Sequence, residues 1–274
     1  MNTPSFHNPP SLFDEARRCL DSTSLSDKLS FTQHAAQAWR AGKLTLEELT
    51  PPQAAVLAGH PEQPKLVAPK NLTKRSFHTP QGKAALFHSI AHIEFNAINL
   101  AWDAVYRFRG MPEQFYSDWV KVADEEAYHF GLIRDHLKNL GYDYGDFPAH
   151  NGLWESAQQT GFDVLVRMAL VPRVLEARGL DVAPGIIQRL AQVGDDEGVA
   201  ILEIIQRDEI GHVEIGTRWF HYCCAERGVE PESTFFNLIE QYMKGALKGP
   251  FNIDARSKAG FSASELNKIK GVSR

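Results

Sequence analysis

Four long stretches of this chain repeat apolar residues at the three-four spacing that places side chains on one face of an α-helix. Glycine and proline punctuate these stretches, as they do at helix ends. The predicted helices cover residues 80–110, 112–141, about 154–179, 195–227 and about 231–248, with a short helix near 184–193. Alternating patterns long enough for a sheet are not found. The sequence therefore predicts an all-α fold.

Each of the four apolar seams is interrupted by glutamate. Glu94 breaks the first seam, whose neighbouring members include Phe87, Ile90 and Ala97. The second and fourth seams each contain a Glu-x-x-His motif, formed by Glu126 with His129 and by Glu209 with His212. The third seam comprises Phe162, Leu165, Ala169, Pro172 and Glu176. Because residues three apart share a helix face, both donors of each motif point to the same side.

Ionised carboxylates in a helical core are costly unless a cation or a metal pairs with them. The seams contain no lysine or arginine, and carboxylates with imidazoles suit iron or manganese. Glu94 lies as far before Gly110 as Glu126 lies after it, so antiparallel packing brings the two level. The predicted ligands of a two-metal site are Glu94, Glu126, His129, Glu176, Glu209 and His212. This is the ligand arrangement of ferritin-like di-iron proteins.

Residues beside the ligands are candidates for orienting them. Ligand imidazoles usually donate their second N–H to a carboxylate, and Asp208 is placed for this role. Glu125 either plays the same part on the second helix or replaces Glu126 as the ligand, with Glu126 preferred for its spacing to His129. Tyr128 either relays electrons or protons near the site or packs against a neighbouring helix.

Other features of the seams leave alternatives open. Pro172 should disrupt the third helix, and this either aims Glu176 or only bends the helix. Small residues on the seams either leave space for oxygen or substrate or permit close packing: Ala97, Ala101, Gly211 and Gly216. The histidines before Glu94, His88 and His92, are interpreted as hydrogen-bonding residues at the surface or between helices.

Several segments resemble a family of bacterial ferritin-like proteins catalogued as a domain of unknown function. They are AHIEFNAINLAWDA, FYSDWVKVADEEAYHF, YGDFPAHNGLW, MALVPRVLEARGLDV, RDEIGHVEIGTRWF and GPFNIDAR, between about residues 87 and 256. The resemblance implies a ferritin-like four-helix bundle with a di-metal core site, extra N- and C-terminal helices and the same ligands. More distantly, the motifs are similar to those of the ferritin and ribonucleotide reductase superfamily. Ile133 stands where the reductases typically carry a radical-forming tyrosine.

Composition narrows the remaining choices. The net charge of −5 gives no general attraction to nucleic acid. The three cysteines, Cys19, Cys223 and Cys224, suggest no disulfide framework, and with no export signal or membrane span they favour the cytoplasm. Residues 1–80 are interpreted as a helical appendage, with short helices in 11–57 and an extended linker in 59–80, and residues 81–274 as the bundle with its C-terminal helices.

The predicted function follows from the metal site and the resemblance. We expect two iron ions, with manganese as the alternative, bridged through Glu94, Glu176 or solvent. The expected reaction is oxidation of a small or tethered organic substrate by dioxygen or peroxide, with an external electron donor. The alternatives are a ferroxidase or other iron-handling protein, and a non-enzymatic bundle in which the metal is structural.

Overall fold

The computed structural model describes residues 9–48, 51–53, 58–72, 76–243 and 247–272. Within these ranges the regular elements are helical, and β-type pairing is limited to two isolated bridges, Ser11 with Thr45 and Leu66 with Ala149. The helices are α1 (Leu12–Asp21), α2 (Leu25–Arg40), α3 (Pro80–Arg107), α4 (Glu113–Asn139), α5 (Gly152–Thr160), α6 (Val164–Leu170), α7 (Ala177–Gln192), α8 (Asp196–Arg227), α9 (Pro231–Met243), α10 (Ile253–Lys258) and α11 (Ala263–Val272). The predicted all-α class is confirmed.

Two pairs of long helices form the centre of the molecule. In the first pair, α3 and α4 pack along each other and are joined by a tight turn in which Gly110 has a φ of 72°. The start of α3 is capped by the hydroxyl of Thr79, which accepts a hydrogen bond from the Gly82 N–H at 3.0 Å. In the second pair, one member is α8, and the other is the consecutive segment formed by α6 and α7, which both pack against α8. Contacts between α4 and α8 join the two pairs.

The predicted third helix is not continuous. It is broken at residues 161–163, because Asp163 caps a new helix by accepting a hydrogen bond from the Leu165 N–H at 2.8 Å. Asp163 is also held by Arg227 at 2.7 Å, a contact between distant parts of the chain. Phe162, which was predicted to lie on the inward seam, falls in this break and is 64% exposed. The prediction was therefore wrong for Phe162.

The separate short helix predicted near residues 184–193 was also wrong, because α7 continues through Pro184 to Gln192. Proline cannot donate the hydrogen bond that the carbonyl of Leu180 would normally receive. The side-chain amide of Asn252 donates to that carbonyl instead, at 3.2 Å. A contact from the C-terminal part of the chain thus compensates for the proline inside the helix.

Between α6 and α7 the chain forms a π-helical turn, Val171–Glu176. Pro172 lies in its first turn and cannot donate to the carbonyl of Met168, so the predicted disruption of the helix takes the form of this wider turn. Gly216 of α8 lies directly opposite, where a Cβ would come within 2.3 Å of the Pro172 side chain. The turn ends at Glu176 and so places that side chain between the helices.

The N-terminal helices pack on the first pair and share its core, since α1 contacts α3, and α2 contacts α4. The buried ammonium of Lys28 donates to the carbonyl of Cys19 at 2.9 Å and to the side chain of Asn99 at 2.6 Å. The linker contains a 3₁₀ turn, Pro69–Asn71. Within the predicted appendage, residues 1–8, 49–50, 54–57 and 73–75 lie outside the described residues.

The helix predicted at about residues 231–248 corresponds to α9, and residues 244–246 lie outside the described residues. The following helices, α10 and α11, are anchored by buried ion pairs. Arg256 contacts Asp181 at 2.7 Å, and Arg173 contacts Glu265 at 2.6 Å. The Arg173 guanidinium also lies 4.1 Å from the ring centre of Phe235. The C-terminal helices are therefore fixed to the π-helical turn and to α7.

Candidate metal centre

Four of the predicted ligands, Glu94, Glu126, His129 and Glu209, come together where the two helix pairs meet. Glu94 projects from α3, and Glu176 ends the π-helical turn. The two motifs place Glu126 and His129 on α4, and Glu209 and His212 on α8. The side chains of both histidines and of Glu126 are almost completely buried.

Glu126 lies between the two imidazoles. Its Oε1 is 3.0 Å from Nδ1 of His212, and its Oε2 is 3.7 Å from Nδ1 of His129. Glu94 Oε2 lies 3.3 Å from Nδ1 of His129, and Glu209 Oε1 lies 3.4 Å from Nδ1 of His212. One donor atom from each of Glu94, Glu126, His129 and Glu209 falls within 4.8 Å of the others. Glu126 therefore approaches both imidazoles, whereas the sequence suggested Glu94 or Glu176 as the bridging carboxylate.

Several inward-facing atoms of this cluster lie close to one another, as the distances above show, but none of them makes a hydrogen bond of acceptable geometry with the described residues. They are Glu94 Oε2, Glu126 Oε1 and Oε2, Glu176 Oε2, and Nδ1 of His129 and of His212. Buried polar atoms are rarely left unpaired, because each costs roughly 1–3 kcal/mol. Oxygen and imidazole nitrogen are also the donors that iron, manganese and zinc accept. The residues present therefore fit a bound metal ion.

The outer nitrogens of the imidazoles are paired across the two helices. His129 of α4 places Nε2 at 3.2 Å from Oδ2 of Asp208 on α8, and His212 of α8 places Nε2 at 2.9 Å from Oε2 of Glu125 on α4. An imidazole that donates from Nε2 keeps the Nδ1 lone pair free to face inward. Glu125 therefore occupies the same outer position as Asp208, while Glu126 faces the cluster.

Tyr128 lies at the surface. Its side chain is 53% exposed, and its ring centre is 6.2 Å from that of His129. The interpretation that it packs against a neighbouring helix was wrong, because its position on α4 faces outward beside the buried His129. The structure leaves it near the ligand but outside the core.

Burial and mutual repulsion set the charges of the cluster. Burial, followed by the negative charge of Glu126, raises the pKa of Glu94 well above its ordinary value. Burial also raises the pKa of Glu176 to about 8, with Glu209 and Glu126 adding to the effect. Burial would lower the pKa of His129, but Glu126 and Glu94 outweigh it and raise this pKa to about 11. Without a bound cation His129 therefore also carries a proton on Nδ1, and a metal ion facing the carboxylates would take the place of that proton.

The histidines before Glu94 lie outside the metal cluster and are buried, so the surface position considered for them was wrong. Nε2 of His88 accepts a hydrogen bond from the Gly145 N–H at 2.9 Å. Nδ1 of His92 lies 2.8 Å from the hydroxyl of Tyr144. Both residues thus attach α3 to the loop between α4 and α5.

A cavity of about 550 Å³ opens onto the carboxylate side of the cluster. Glu94, Glu126, Glu176 and Glu209 all contribute to its lining, and neither ligand histidine does. Ala97 also lines it, whereas Gly216 permits close packing against Pro172. The two roles considered for the small seam residues are thus divided between these positions.

Sequence reasoning missed a buried cation near the site. Arg167 on α6 forms an ion pair with Asp103 on α3 at 2.8 Å, with both side chains almost completely buried. Its charge is one of the influences that favour ionised Glu176, although burial of Glu176 has the larger effect. The pairing joins two helices distant in sequence, so local spacing carried no signal for it.

Residues 21–267 match a family described as "Protein of unknown function (DUF455)". The chain belongs to this family. An uncharacterized protein from Haemophilus influenzae strain Rd is 53% identical over 223 residues, which cover 79% of this chain and 77% of the relative. No solved structure matches the chain. In the described part of this DUF455 member, none of the helices is both long and apolar enough to cross a membrane.

Proposed function

We propose that this chain is a ferritin-like di-iron carboxylate protein that uses dioxygen or peroxide to oxidise a small organic molecule, with electrons from an external donor. The observation that carries the proposal is the convergence of unpartnered carboxylate and imidazole atoms at one end of an apolar cavity. In ferritin-like di-iron proteins, two helices supply one glutamate each, and two further helices supply one Glu-x-x-His motif each. The proposed ligands of this chain follow the same pattern.

The proposed ligands are Glu94, Glu126, His129, Glu176, Glu209 and His212. Two divalent ions would balance the charge of the four carboxylates, which accounts for their burial in one core. Asp208 and Glu125 hold the outer N–H of each imidazole, so that both rings present Nδ1 to the centre. The chain thus provides an oriented donor set and keeps the imidazoles in the tautomer that binds metal.

The bound iron pair would supply redox chemistry toward dioxygen or peroxide. The chain's own residues would position the substrate and limit the access of water. Apolar residues flank the cluster on each seam, among them Phe130, Ile133 and Val213, which are fully buried. An organic substrate can approach along the cavity. The cavity is lined by the four carboxylates, and neither imidazole lines it.

The apolar cavity also separates this proposal from a ferroxidase function. A passage lined mainly by aliphatic side chains accommodates hydrated ferrous ions poorly, because moving a charged ion from water into apolar surroundings is unfavourable. A purely structural metal would give no reason for a cavity that opens onto four metal-facing carboxylates.

The test is metal analysis of protein made in iron-supplemented cells, combined with Mössbauer spectroscopy and measurement of oxygen uptake after anaerobic reduction. We expect two iron ions per chain, coupled as a pair, that are reoxidised with consumption of dioxygen. Metal that air does not oxidise would instead support a structural role. Continued oxidation of added Fe(II) well beyond the bound pair, in a shell-sized assembly, would support iron handling.

A further inference from the structure

The cavity beside the metal cluster has a defined direction. Apart from Ala97, its residues on α3 precede Glu94; those on α8 precede Glu209, and those on α7 follow Glu176. It therefore extends from the carboxylates toward one end of the helix pairs. Leu86 is the most distant lining residue on α3, about 12 Å from Glu94 at the rise of an α-helix. The space is thus elongated, with the carboxylates at one end.

The walls of the cavity are chiefly aliphatic. Three helices contribute facing pairs: Leu86 and Ile90 from α3, Val182 and Ile186 from α7, and Leu202 and Ile205 from α8. The guanidinium of Arg178, which also lines the cavity, donates to the carbonyls of Lys248 and Pro250 at 2.7 and 3.0 Å. The Arg178 guanidinium is therefore already hydrogen-bonded to the protein backbone. A charged ligand body would lose its hydration against these walls with little compensation.

A second cavity continues this apolar surface toward solvent. It has a volume of about 420 Å³ and shares five lining residues with the first: Leu86, Ile93 and Leu153, with the polar Ser89 and His150. Ile93 is 51% exposed, an unusual position for isoleucine near the middle of a central helix. The exposed isoleucine lies where the two cavities meet and marks the entrance.

We propose that the larger cavity binds an elongated, uncharged organic molecule and brings one end of it to the carboxylates. Its volume lies within the roughly 300–1,000 Å³ range of small-molecule pockets. The buried, unpartnered oxygens of Glu94 and Glu176 face the same space and mark the end at which a reactive group meets the centre. The inference rests on the proposed function only for what happens at that end, since the binding itself needs no metal.

The test uses N-phenyl-1-naphthylamine, an uncharged probe that fluoresces strongly in apolar surroundings. The full chain should bind it, and Ala183→Trp, which fills the cavity wall, should weaken binding at least about tenfold. Ile93→Trp at the entrance should act in the same direction and places the new ring at a half-exposed position. Gln188→Trp is the matched control, because Gln188 is exposed on α7 and does not line the cavity; its affinity should equal that of the original chain.

Competition tests the charge of the ligand. With metal-free protein, 1-decanol should displace the probe, whereas decanoate should be at least about tenfold weaker, because its charged end loses hydration against the apolar walls and meets the buried carboxylates. Equal displacement by a charged competitor would overturn the uncharged class. Absence of probe binding, or binding insensitive to both cavity variants, would overturn the site. Metal content measured on the same preparations before metal removal reports separately on the proposed function: probe binding without metal sinks that function alone, and metal without probe binding sinks this inference alone.

Discussion

Gly216 on α8 lies against Pro172 in the π-helical turn so closely that an added Cβ would come within 2.3 Å of the proline side chain. The contact matters because the same turn ends at Glu176, a proposed metal ligand. The absence of a side chain at Gly216 thus permits the approach that sets the position of Glu176.

Gly216→Ala should therefore lower the free energy of unfolding by about 1–3 kcal/mol, the usual cost of overpacking, and should also weaken metal binding. Gly211→Ala is the control on the same helix, since nothing lies within 4 Å of its added Cβ. That change should be neutral or raise the free energy by about 0.5–1 kcal/mol, because alanine favours a helix over glycine. Urea denaturation and metal titration check both, and equal effects of the two variants would contradict the packing argument.

Removing either outer carboxylate should weaken metal binding without abolishing it. For Asp208→Ala and Glu125→Ala we expect affinity to fall about 10–100-fold, because each imidazole loses the partner that orients it. Glu126→Ala should instead reduce the number of bound ions, since Glu126 faces both imidazoles. Competition titration with a chelator measures each affinity, with Glu203→Ala, an exposed position on α8, as control. If Glu125→Ala loses an ion and Glu126→Ala does not, their assigned roles must be exchanged.

Glu176→Gln keeps the shape of the side chain and removes its negative charge. The variant should hold fewer than two ions per chain, because the π-helical turn supplies no other proposed ligand. Its thermal unfolding should also lose most of the stabilisation that added metal gives to the original protein. Elemental analysis and calorimetry provide the measurements. Glu155→Gln, on the exposed side of α5, should behave like the original chain, and full metal content in Glu176→Gln would remove Glu176 from the ligand set.

Sequence periodicity was sufficient to predict α3, α4 and α8 and to place Glu94, Glu126, His129 and Glu209 on faces that meet, because a seam of apolar residues fixes which face of a helix turns inward. It could not predict the π-helical turn or the continuation of α7 through Pro184. Those depend on contacts between distant residues, such as the Asn252 amide at the carbonyl of Leu180. The cavity was equally out of reach, since its walls come from three helices whose separation no local pattern specifies.

Acid should destabilise the protein partly through His88. Burial lowers its pKa to about 4, against the opposing influence of Asp146 and Asp143, and neutral Nε2 accepts the Gly145 N–H. Below about pH 6.5 the His88 ring is protonated in the unfolded chain but stays neutral in the folded chain until the pH approaches 4. The free energy of unfolding therefore falls as the pH drops from about 6.5 toward 4.

His88→Asn should reduce the loss of stability between pH 7 and 4.5 by about 2 kcal/mol. Urea denaturation at the two pH values measures the difference, and taking it between variant and original cancels the contribution of other titrating groups. The same substitution at Gln33, an exposed residue of α2 that does not titrate, is the control and should reproduce the pH profile of the original chain. Identical profiles for His88→Asn and the original chain would show that His88 is protonated alike in both states.

The crossed pairing of His129 with Asp208 and of His212 with Glu125 has a consequence for protein design. Each helix carries a ligand imidazole whose orientation is set by the other helix, so a single Glu-x-x-His helix grafted into a new scaffold would arrive without the carboxylate that holds its ring. To keep both imidazoles oriented, a transplant would need α4 together with α8, at their present separation and register.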